Sequence, residues 1–342
     1  MAPKYDLKIA VFSSSSYVVD HFSENLNSLG TVKFILARLD KESANLAAGY
    51  DVVVTFVNDD SSREVLEVLK SGGVKLIALR CAGFDRVDLA AAEELGIKVV
   101  RVPAYSPRSV AEHAFALLFS VARNLKAAQL RVAAGTYTLS GLVGTEVSRK
   151  TYGVVGTGKI GLEFMQLLQG LQGTILAYDV YQNDAAKALG ATYVSLEELL
   201  RRSDFISLHA PLLPSTKHTI NAETLKLVKP TAILINCSRG GLVDTKALLA
   251  ALYEDRLGGF AADVYEGEDQ LFFKDFQELS AAHRMKHWNT EFIELKSLPQ
   301  TLITPHIAFL THEALSNIST TTRDNIDEFA QGKPLTNEVK ST

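Results

Sequence analysis

Three side chains that could act together on one small substrate each follow a short apolar run. They are Arg239, a glutamate (Glu266 or Glu268) and His306. Ligands of open α/β sheets bind beyond the carboxyl ends of the strands, where these residues are expected to lie. An arginine can bind a carboxylate through two hydrogen bonds, and a histidine held by a carboxylate can give a proton to a nearby oxygen. The set has the parts needed to reduce a 2-keto acid.

The elements that would position these residues are short apolar runs that alternate with helix-like stretches, a pattern typical of α/β proteins with parallel sheets covered on both faces. The predicted strands of the first part are 8–12, 32–36, 52–57, 74–79 and 97–100. Those of the second part are 152–155, 174–178, 205–208, 232–235 and 260–262. A stretch rich in Gly, Thr and Ser at 135–144 separates the two series, so we predict two doubly wound sheets.

A long helix is predicted between the two series. Its apolar residues recur at helical spacing at Val110, Ala114, Leu117, Leu118, Val121 and Leu125. The helix starts either at Pro107, with proline in the first helical position, or at a capping box formed by Ser109 and Glu112. A final helix is predicted at about 313–330, and the sequence alone leaves open which sheet it covers.

Length and composition indicate a folded protein of two domains, since 342 residues at roughly 150 per domain give about two. The formal charge of −4 offers no field that would attract nucleic acid or an anionic membrane. No apolar run reaches the ~18 residues of a membrane span, and the start lacks a signal-peptide core. Cys81 and Cys237 are too few for a disulfide framework and form no metal cluster, so we expect a cytoplasmic protein without metal.

A dinucleotide-binding turn is predicted where a strand passes into a helix through Gly156, Gly158 and Gly161 in G-x-G-x-x-G spacing. The first glycine would make the tight turn, the second would let a pyrophosphate approach the backbone, and the third would let helix and strand pack closely. The helix N-terminus then offers its free N–H groups to the anion. The alternative is a structural glycine-rich turn.

The next strand ends in Asp179, eighteen residues past Gly161, where an acid can accept hydrogen bonds from the adenosine ribose. A carboxylate there would repel the 2′-phosphate of NADP, and the following Val180, Tyr181 and Gln182 supply no arginine. The sequence therefore favours NAD as the cofactor. In the alternative, Asp179 is an ordinary surface residue.

With these motifs in place, the chain resembles the NAD-dependent D-2-hydroxyacid dehydrogenase family over nearly its whole length, and within it the D-lactate-forming branch. The segments that carry the resemblance are 80–85, 102–107, 156–161, 209–212, 236–240, 263–266 and 304–306. It implies a flavodoxin-like substrate domain (1–104 and 309–342) and a Rossmann NAD domain (105–308) with a cleft between them. It also implies that the final helix lies in the substrate domain and that the long helix helps to form a homodimer.

The resemblance also implies a role for particular residues. The family's catalytic residues fall on Arg239, Glu268 and His306, so that Glu268 is preferred over Glu266. Its cofactor contacts fall on Gly156, Gly158, Lys159, Ile160, Gly161, Asp179, His209, Pro211, Cys237, Ser238 and Asp263. Its substrate contacts fall on Ala82, Gly83, Tyr105, Arg239, His306 and Phe309. In these sets Asp263 is expected near the nicotinamide amide, and Tyr105 is expected to close over a small substrate.

Two departures from the family pattern bear on specificity. Lys159 stands where the family has histidine or arginine, and the segment 269–303 is longer than usual and could alter substrate access. The expected reaction is reduction of pyruvate to D-lactate with NADH. The alternatives are the same chemistry on bulkier keto acids such as 2-ketoisocaproate or aryl pyruvates, or an NAD-sensing, corepressor-like binding module.

Other histidines and the cysteines have simpler interpretations. His113 lies on the long helix beside apolar neighbours and is interpreted as a core or capping residue. His209 either packs beside its strand or lies near the cofactor. The two cysteines are interpreted as small packed residues, since no adjacent base would activate them.

Overall fold

The computed structural model of the protein describes residues 3–268, 271–273, 275–277 and 280–341. The chain forms two compact units, Met1–Ser106 with Leu310–Thr342, and Pro107–Phe309. These limits lie two residues beyond the boundary expected at 104 and one beyond that at 308. Among the helices in the described ranges, none has both the length and the apolar character of a bilayer span.

The first unit is built on a five-stranded parallel sheet. Its strands are β1 (Lys8–Val11), β2 (Thr31–Phe34), β3 (Val52–Thr55), β4 (Leu76–Leu79) and β5 (Lys98–Val100). Their order is β2-β1-β3-β4-β5, which is the flavodoxin-like order. Every residue of β3 and β4 is buried, as expected for strands covered by helices on both faces. The flavodoxin-like fold of this unit is confirmed.

Four α-helices cover this sheet. They are α1 (Ser16–Asn27), α2 (Arg63–Ser71), α3 (Leu89–Glu94) and α12 (His312–Ala330). The last helix packs against α1 and β4 through a buried stripe that includes Leu315, Ile318 and Ile326. This packing resolves the question that the sequence left open, since α12 belongs to the first unit although it follows the second unit in the sequence.

The second unit is built on a seven-stranded parallel sheet. Its strands are β6 (Thr151–Val155), β7 (Thr174–Tyr178), β8 (Thr192–Tyr193), β9 (Phe205–Leu208), β10 (Ile233–Asn236), β11 (Gly259–Ala262) and β12 (Thr301–Ile303). The order β12-β11-β10-β9-β6-β7-β8 is the doubly wound Rossmann order with one added strand. The Rossmann fold is confirmed. The sequence prediction missed β8 and β12, in which a threonine and at most two apolar residues form the strand.

The helices of the second unit correct the prediction of one long helix. They are α4 (Pro107–Ala122), α5 (Leu125–Ala133), α6 (Lys159–Leu168), α7 (Asp184–Ala188), α8 (Leu196–Arg202), α9 (Thr245–Tyr253), α10 (Ala281–Lys286) and α11 (Thr290–Ser297). The first begins at Pro107, so proline takes the first helical position and Ser109 lies inside the helix. It ends at Ala122 because Asn124 has a left-handed backbone, and Leu125 therefore begins a new helix.

Candidate active site

The register of the second sheet brings several predicted site residues to one edge. The last residues of five neighbouring strands pair in a row, Val155 with Leu208, Leu208 with Asn236, Asn236 with Ala262, and Ala262 with Ile303. The residues that follow them are Gly156, His209, Cys237, Asp263 and Thr304. Because all five strands are parallel, the cofactor turn and the loops of Arg239, Glu268 and His306 leave the sheet at the same edge.

His306 and Glu268 form a close pair. His306 Nδ1 lies 2.6 Å from Glu268 Oε1, and the two side chains are 16% and 23% exposed. The second carboxylate oxygen of Glu268 accepts a hydrogen bond from the backbone N–H of Tyr265 at 2.9 Å. Since a carboxylate only accepts, Nδ1 carries a proton and Nε2 is the ring atom left to exchange one with substrate. The pair is therefore arranged for acid–base chemistry.

The competing glutamate is bound elsewhere. Both carboxylate oxygens of Glu266 lie close to His218 Nε2, at 2.9 and 3.0 Å. Between the two glutamates, Gly267 has a φ of +85°, a conformation that L-residues rarely adopt. This reversal of the backbone sends Glu266 and Glu268 to different histidines.

Asp263 holds the loop that carries His306. Its side chain is 1% exposed, and Oδ1 accepts hydrogen bonds from the Ile307 N–H at 2.8 Å and from Thr304 Oγ1 at 2.5 Å. Its Oδ2 accepts from the Ala308 N–H at 2.7 Å, and its backbone carbonyl accepts from the His306 N–H at 2.8 Å. The expected contact of Asp263 with the nicotinamide amide stays a prediction.

His113 of α4 joins this network, which the sequence interpretation did not foresee. Its Nε2 lies 2.9 Å from Thr304 Oγ1 and 3.4 Å from Asp263 Oδ1. Its side chain is 20% exposed and belongs to the middle of a helix, so the role is neither a cap nor simple core packing. The contact joins residues 191 positions apart, and no local pattern in the sequence signals it.

The loop that carries Arg239 is held by its own backbone and by Asn236. The amide group of Asn236 accepts from the Ser238 N–H at 3.0 Å and donates to the Arg239 carbonyl at 2.9 Å. Gly240 has no room for a side chain, because a Cβ would lie 2.3 Å from the backbone N of Glu266. The arginine loop therefore packs directly against the loop that leads to Glu268.

Cys237, next to this loop, is a buried free thiol. Burial raises its pKa well above the usual value, and the nearby negative charge of Asp263 raises it further. A thiol with a raised pKa is a poor nucleophile. This agrees with the interpretation of Cys237 as a packed residue.

The three glycines of the nucleotide turn meet three different steric demands. Gly156 has a φ of +97°, and a Cβ there would lie 2.6 Å from the Ala210 N atom. A Cβ on Gly161 would lie 2.1 Å from the Gly156 carbonyl oxygen. At Gly158, which caps α6, a Cβ would meet no atom within 4 Å. The open space beside Gly158 at a helix N-terminus fits a pyrophosphate, so these residues can hold a dinucleotide.

Asp179 lies directly after β7 and beside the nucleotide turn. Its Oδ2 accepts hydrogen bonds from the Thr157 N–H at 2.6 Å and from Thr157 Oγ1 at 3.0 Å. The Tyr193 hydroxyl in turn donates to Thr157 Oγ1 at 2.8 Å. The next side chain, Val180, is 81% exposed, so the carboxylate stands beside open solvent where a ribose can approach.

His209 is buried beside the nucleotide turn. Its Nε2 lies 2.9 Å from Ser207 Oγ, and its ring centroid lies 5.1 Å from that of Phe164. Its Nδ1 is buried and has no hydrogen-bond partner among the described residues. Burial lowers the pKa of the imidazole to about 3, so the ring is neutral at physiological pH. The contacts are those of a packed residue, and the expected contact with the cofactor stays a prediction.

In the first unit, Arg101 holds the loop of Ala82 and Gly83. Its Nη1 donates to the Ala82 carbonyl at 2.8 Å, and its guanidinium carbon lies 4.9 Å from the ring centroid of Phe84. Because this hydrogen bond fixes the orientation of the Ala82 carbonyl, it also orients the Gly83 N–H of the same peptide group. The backbone of Tyr105 is held as well, since its carbonyl accepts from Asn317 Nδ2 at 2.8 Å.

Lys126 of α5 secures the start of β12, the strand that leads to His306. Its ammonium group donates to the carbonyls of Lys296, Leu298 and Thr301 at 2.6, 2.9 and 2.9 Å. Burial lowers the pKa of this lysine. The contacts join the end of α11 and the beginning of β12 to α5.

Among the residues that the structure describes, no group of three or more His, Cys, Asp or Glu side chains could hold a metal ion.

Comparisons with known proteins agree with this geometry. Residues 115–308 match the model of the family described as D-isomer specific 2-hydroxyacid dehydrogenase, NAD binding domain. The chain is 42% identical to the D-lactate dehydrogenase of Escherichia coli, over 97% of this chain and 100% of that protein.

Two solved structures are also similar along their whole length. The pyruvate reductase of Chlamydomonas reinhardtii superposes with a TM-score of 0.94 at 49% identity, covering 98% of this chain and 99% of that one. The D-lactate dehydrogenase of Aquifex aeolicus, solved with NAD and lactic acid, has a TM-score of 0.84 at 33% identity, with 98% and 99% covered.

Proposed function

Because the chain belongs to the D-isomer specific 2-hydroxyacid dehydrogenase family, whose members are NAD-dependent enzymes, we propose that it reduces pyruvate to D-lactate with NADH. The observation that carries this proposal is the 2.6 Å contact between His306 Nδ1 and Glu268 Oε1. NADH supplies the hydride when bound. The protein must supply the proton, bind the substrate carboxylate and fix the geometry of both.

His306 is the proposed proton donor. With Nδ1–H held by Glu268, Nε2 delivers its proton to the keto oxygen as the carbon is reduced, and takes it back in the reverse reaction. Glu268 keeps the ring in one tautomer and one orientation. Its own second oxygen is fixed by the Tyr265 N–H, so neither group has to reorganise during the reaction.

Arg239 is the proposed anchor for the substrate carboxylate, which it would bind through two parallel hydrogen bonds. The Asn236 amide and the close approach at Gly240 hold its loop firmly, which supports a positioning role. In the first unit we propose that the N–H groups of Ala82 and Gly83 also bind the carboxylate. Tyr105 and the buried Phe309 are the proposed limits on substrate size.

For the cofactor, we propose that the turn at 156–161 binds the pyrophosphate of NAD and that Asp179 binds the adenosine ribose. Further cofactor contacts are proposed for His209, Pro211, Cys237, Ser238 and Asp263. Lys159 is exposed at the first position of α6, so its difference from the family residue leaves the N–H groups of the turn unaltered.

The choice of pyruvate is supported by relatives named for lactate and pyruvate, and the alternative is a bulkier 2-keto acid. The test is steady-state reduction of a keto-acid panel with NADH and with NADPH, followed by chiral analysis of the product. We expect pyruvate to give the highest kcat/KM, NADH to be preferred, and D-lactate to be the product. Preference for an aryl pyruvate would move the proposal to the alternative, and an L-product or NADH binding without turnover would overturn it.

We further propose that the protein is a cytoplasmic homodimer. The supporting surface is α5 and the loop after it, because α5 has no buried residue. Its exposed apolar side chains, with the loop that follows, are Leu125, Leu130, Val132, Tyr137, Leu139 and Val143. A patch of this kind marks an association surface. The apolar residues of α4, by contrast, are largely buried in its own unit, so we propose α5 and the loop after it as the dimer surface instead of α4. Sedimentation of the wild type and of Leu139→Asp tests this, with a monomeric wild type as the contrary result.

A further inference from the structure

The contact between His113 and the loop of His306 is not part of the acid–base pair itself. His113 Nε2 lies 2.9 Å from Thr304 Oγ1, and Thr304 stands two residues before His306. Thr304 Oγ1 is in turn 2.5 Å from Asp263 Oδ1. The side chains of His113, Thr304 and Asp263 therefore form a hydrogen-bonded series from α4 to the buried end of β11.

The number of protons on each side chain decides which group donates and which accepts in this hydrogen-bonded series. The Thr304 hydroxyl has one proton, and its partner Asp263 is a carboxylate whose two oxygens also accept backbone N–H bonds. Because a carboxylate only accepts, the hydroxyl donates to Asp263 and can only accept from His113. Nε2 of His113 must therefore carry the proton of this hydrogen bond, and the same atom lies 3.4 Å from Asp263 Oδ1.

This arrangement satisfies a carboxylate that is 1% exposed. A buried carboxylate is costly unless hydrogen bonds surround it, and the hydroxyl of Thr304 is one of its partners. The Thr304 hydroxyl is held on both sides, because it donates to Asp263 and accepts from His113. Without His113 the hydroxyl keeps its bond to Asp263, but the loop at 304–308 loses this tie to α4.

The backbone of this loop has an uncommon conformation at His306. Its φ of +57° lies in the left-handed region, which few residues other than glycine adopt. The loop is held in this conformation by the backbone N–H bonds of His306, Ile307 and Ala308 to Asp263. We propose that His113 is a positioning residue, which acts through Thr304 and Asp263 to keep His306 in the conformation that meets Glu268. This rests on the proposed function of His306.

Two substitutions separate positioning from packing. His113→Gln keeps an N–H at about the reach of Nε2, whereas His113→Phe keeps the ring volume and removes the donor. We expect His113→Phe to lower kcat for keto-acid reduction by ~10- to 100-fold, since a displacement of about 1 Å has effects of that size. NADH affinity, measured by fluorescence titration, should change by less than about threefold, because the nucleotide turn is held to Asp179 through Thr157 and not through His113 or Thr304. His113→Gln should recover most of the rate.

Controls come from the same chain of contacts. Thr304→Val should lower kcat as much as His113→Phe, and the double variant should be no slower, because both break one path. Glu112→Gln, on the exposed face of α4 next to His113, should leave kcat unchanged. Equal losses in His113→Phe and His113→Gln, or additive losses in the double variant, would overturn the proposal.

A measurement without substrate keeps this inference separate from the proposed function. The ring ¹⁵N shifts of His306 in the protein without cofactor should report Nδ1–H in the wild type and in His113→Gln. In His113→Phe they should move toward those of a free imidazole. Unchanged shifts would refute the positioning role even in an active enzyme, whereas a wild type that turns over no keto acid would refute the function alone.

Discussion

The Nδ1 atom of His306 lies 2.6 Å from the Oε1 atom of Glu268, while Glu266, two residues earlier, is paired with His218 instead. The two glutamates are similar in sequence context but have separate histidine partners. They are therefore a matched pair for testing which carboxylate acts with the proton donor.

Glu268→Gln should lower kcat/KM for keto-acid reduction by at least ~10-fold, because the amide can accept from Nδ1–H but brings no negative charge to the imidazolium. Glu266→Gln should change it by less than about threefold. Stopped-flow and steady-state assays with NADH measure both variants. Similar losses of kcat/KM in the two variants would show that the pairing of Glu268 with His306 does not determine the rate.

Arg239→Lys should raise the KM for the keto acid and lower kcat/KM by roughly 100-fold, because an ammonium cannot make the two parallel hydrogen bonds of a guanidinium. The dissociation constant of NADH, measured by fluorescence in the absence of keto acid, should stay close to the wild-type value. Near-normal turnover would remove Arg239 from the substrate site.

The nucleotide turn offers two alanine substitutions with opposite expectations. In Gly161→Ala the added Cβ would meet the Gly156 carbonyl at 2.1 Å, so we expect a stability loss of about 1–3 kcal/mol or more. In Gly158→Ala the Cβ meets nothing within 4 Å and φ is −71°, so the fold should be unaffected. NADH affinity should nevertheless fall about tenfold, since the methyl group takes space proposed for the pyrophosphate. Thermal unfolding and NADH titration test both, and intact affinity in a stable Gly158→Ala protein would argue against this turn as the binding site.

Arg101→Met should act on substrate binding more than on turnover. Loss of the hydrogen bond to the Ala82 carbonyl frees the loop whose N–H groups are proposed to bind the carboxylate. We expect the KM for the keto acid to rise ~10-fold with kcat within about threefold, which is the pattern of lost uniform binding. Lys98→Met, an exposed change on β5, serves as the control. Equal effects of the two variants would contradict the role of Arg101.

His209 should make the protein less stable in acid. Its pKa is about 3 in the folded protein against an ordinary 6.5, so between these values the unfolded chain takes up a proton that the folded chain does not. The free energy of unfolding therefore falls as pH falls below about 6.5, with a slope from this group that approaches about 1.4 kcal/mol per pH unit. Urea unfolding from pH 7 to pH 4 should show a shallower decline in His209→Gln. Equal slopes in both proteins would mean that His209 ionises in the folded state.

The parts of the structure that were predictable from sequence are those with a local signal. Apolar runs located ten of the strands, and the glycine spacing marked the Rossmann turn, because both patterns follow from contacts within a few residues. The two strands that were missed, Thr192–Tyr193 and Thr301–Ile303, each begin with a threonine and hold at most two apolar residues, so they lack such a run. The break at Asn124 was missed because it depends on one residue with φ of +53° inside a continuous helical spacing.

The members of the candidate site could be proposed from the sequence, whereas the hydrogen-bonded pairs that the structure shows among them could not. Sequence spacing could not choose between Glu266 and Glu268, because the choice depends on the backbone reversal at Gly267. The contact of His113 with Thr304 joins residues 191 positions apart and depends on how α4 packs over the sheet. Tertiary packing, which a single sequence does not display, decides both.

The strand before His306 also has a dynamic consequence. β12 is three residues long and ends the sheet, with β11 as its only strand neighbour in the described structure. Edge segments of this size are where hydrogen exchange detects fraying, at free energies well below that of global unfolding. We expect each fraying event to move the proposed proton donor away from its carboxylate. A local equilibrium of β12 would then set the fraction of molecules in which His306 meets Glu268. The ammonium of Lys126, which donates to three carbonyls at the base of the strand, is expected to favour the paired state.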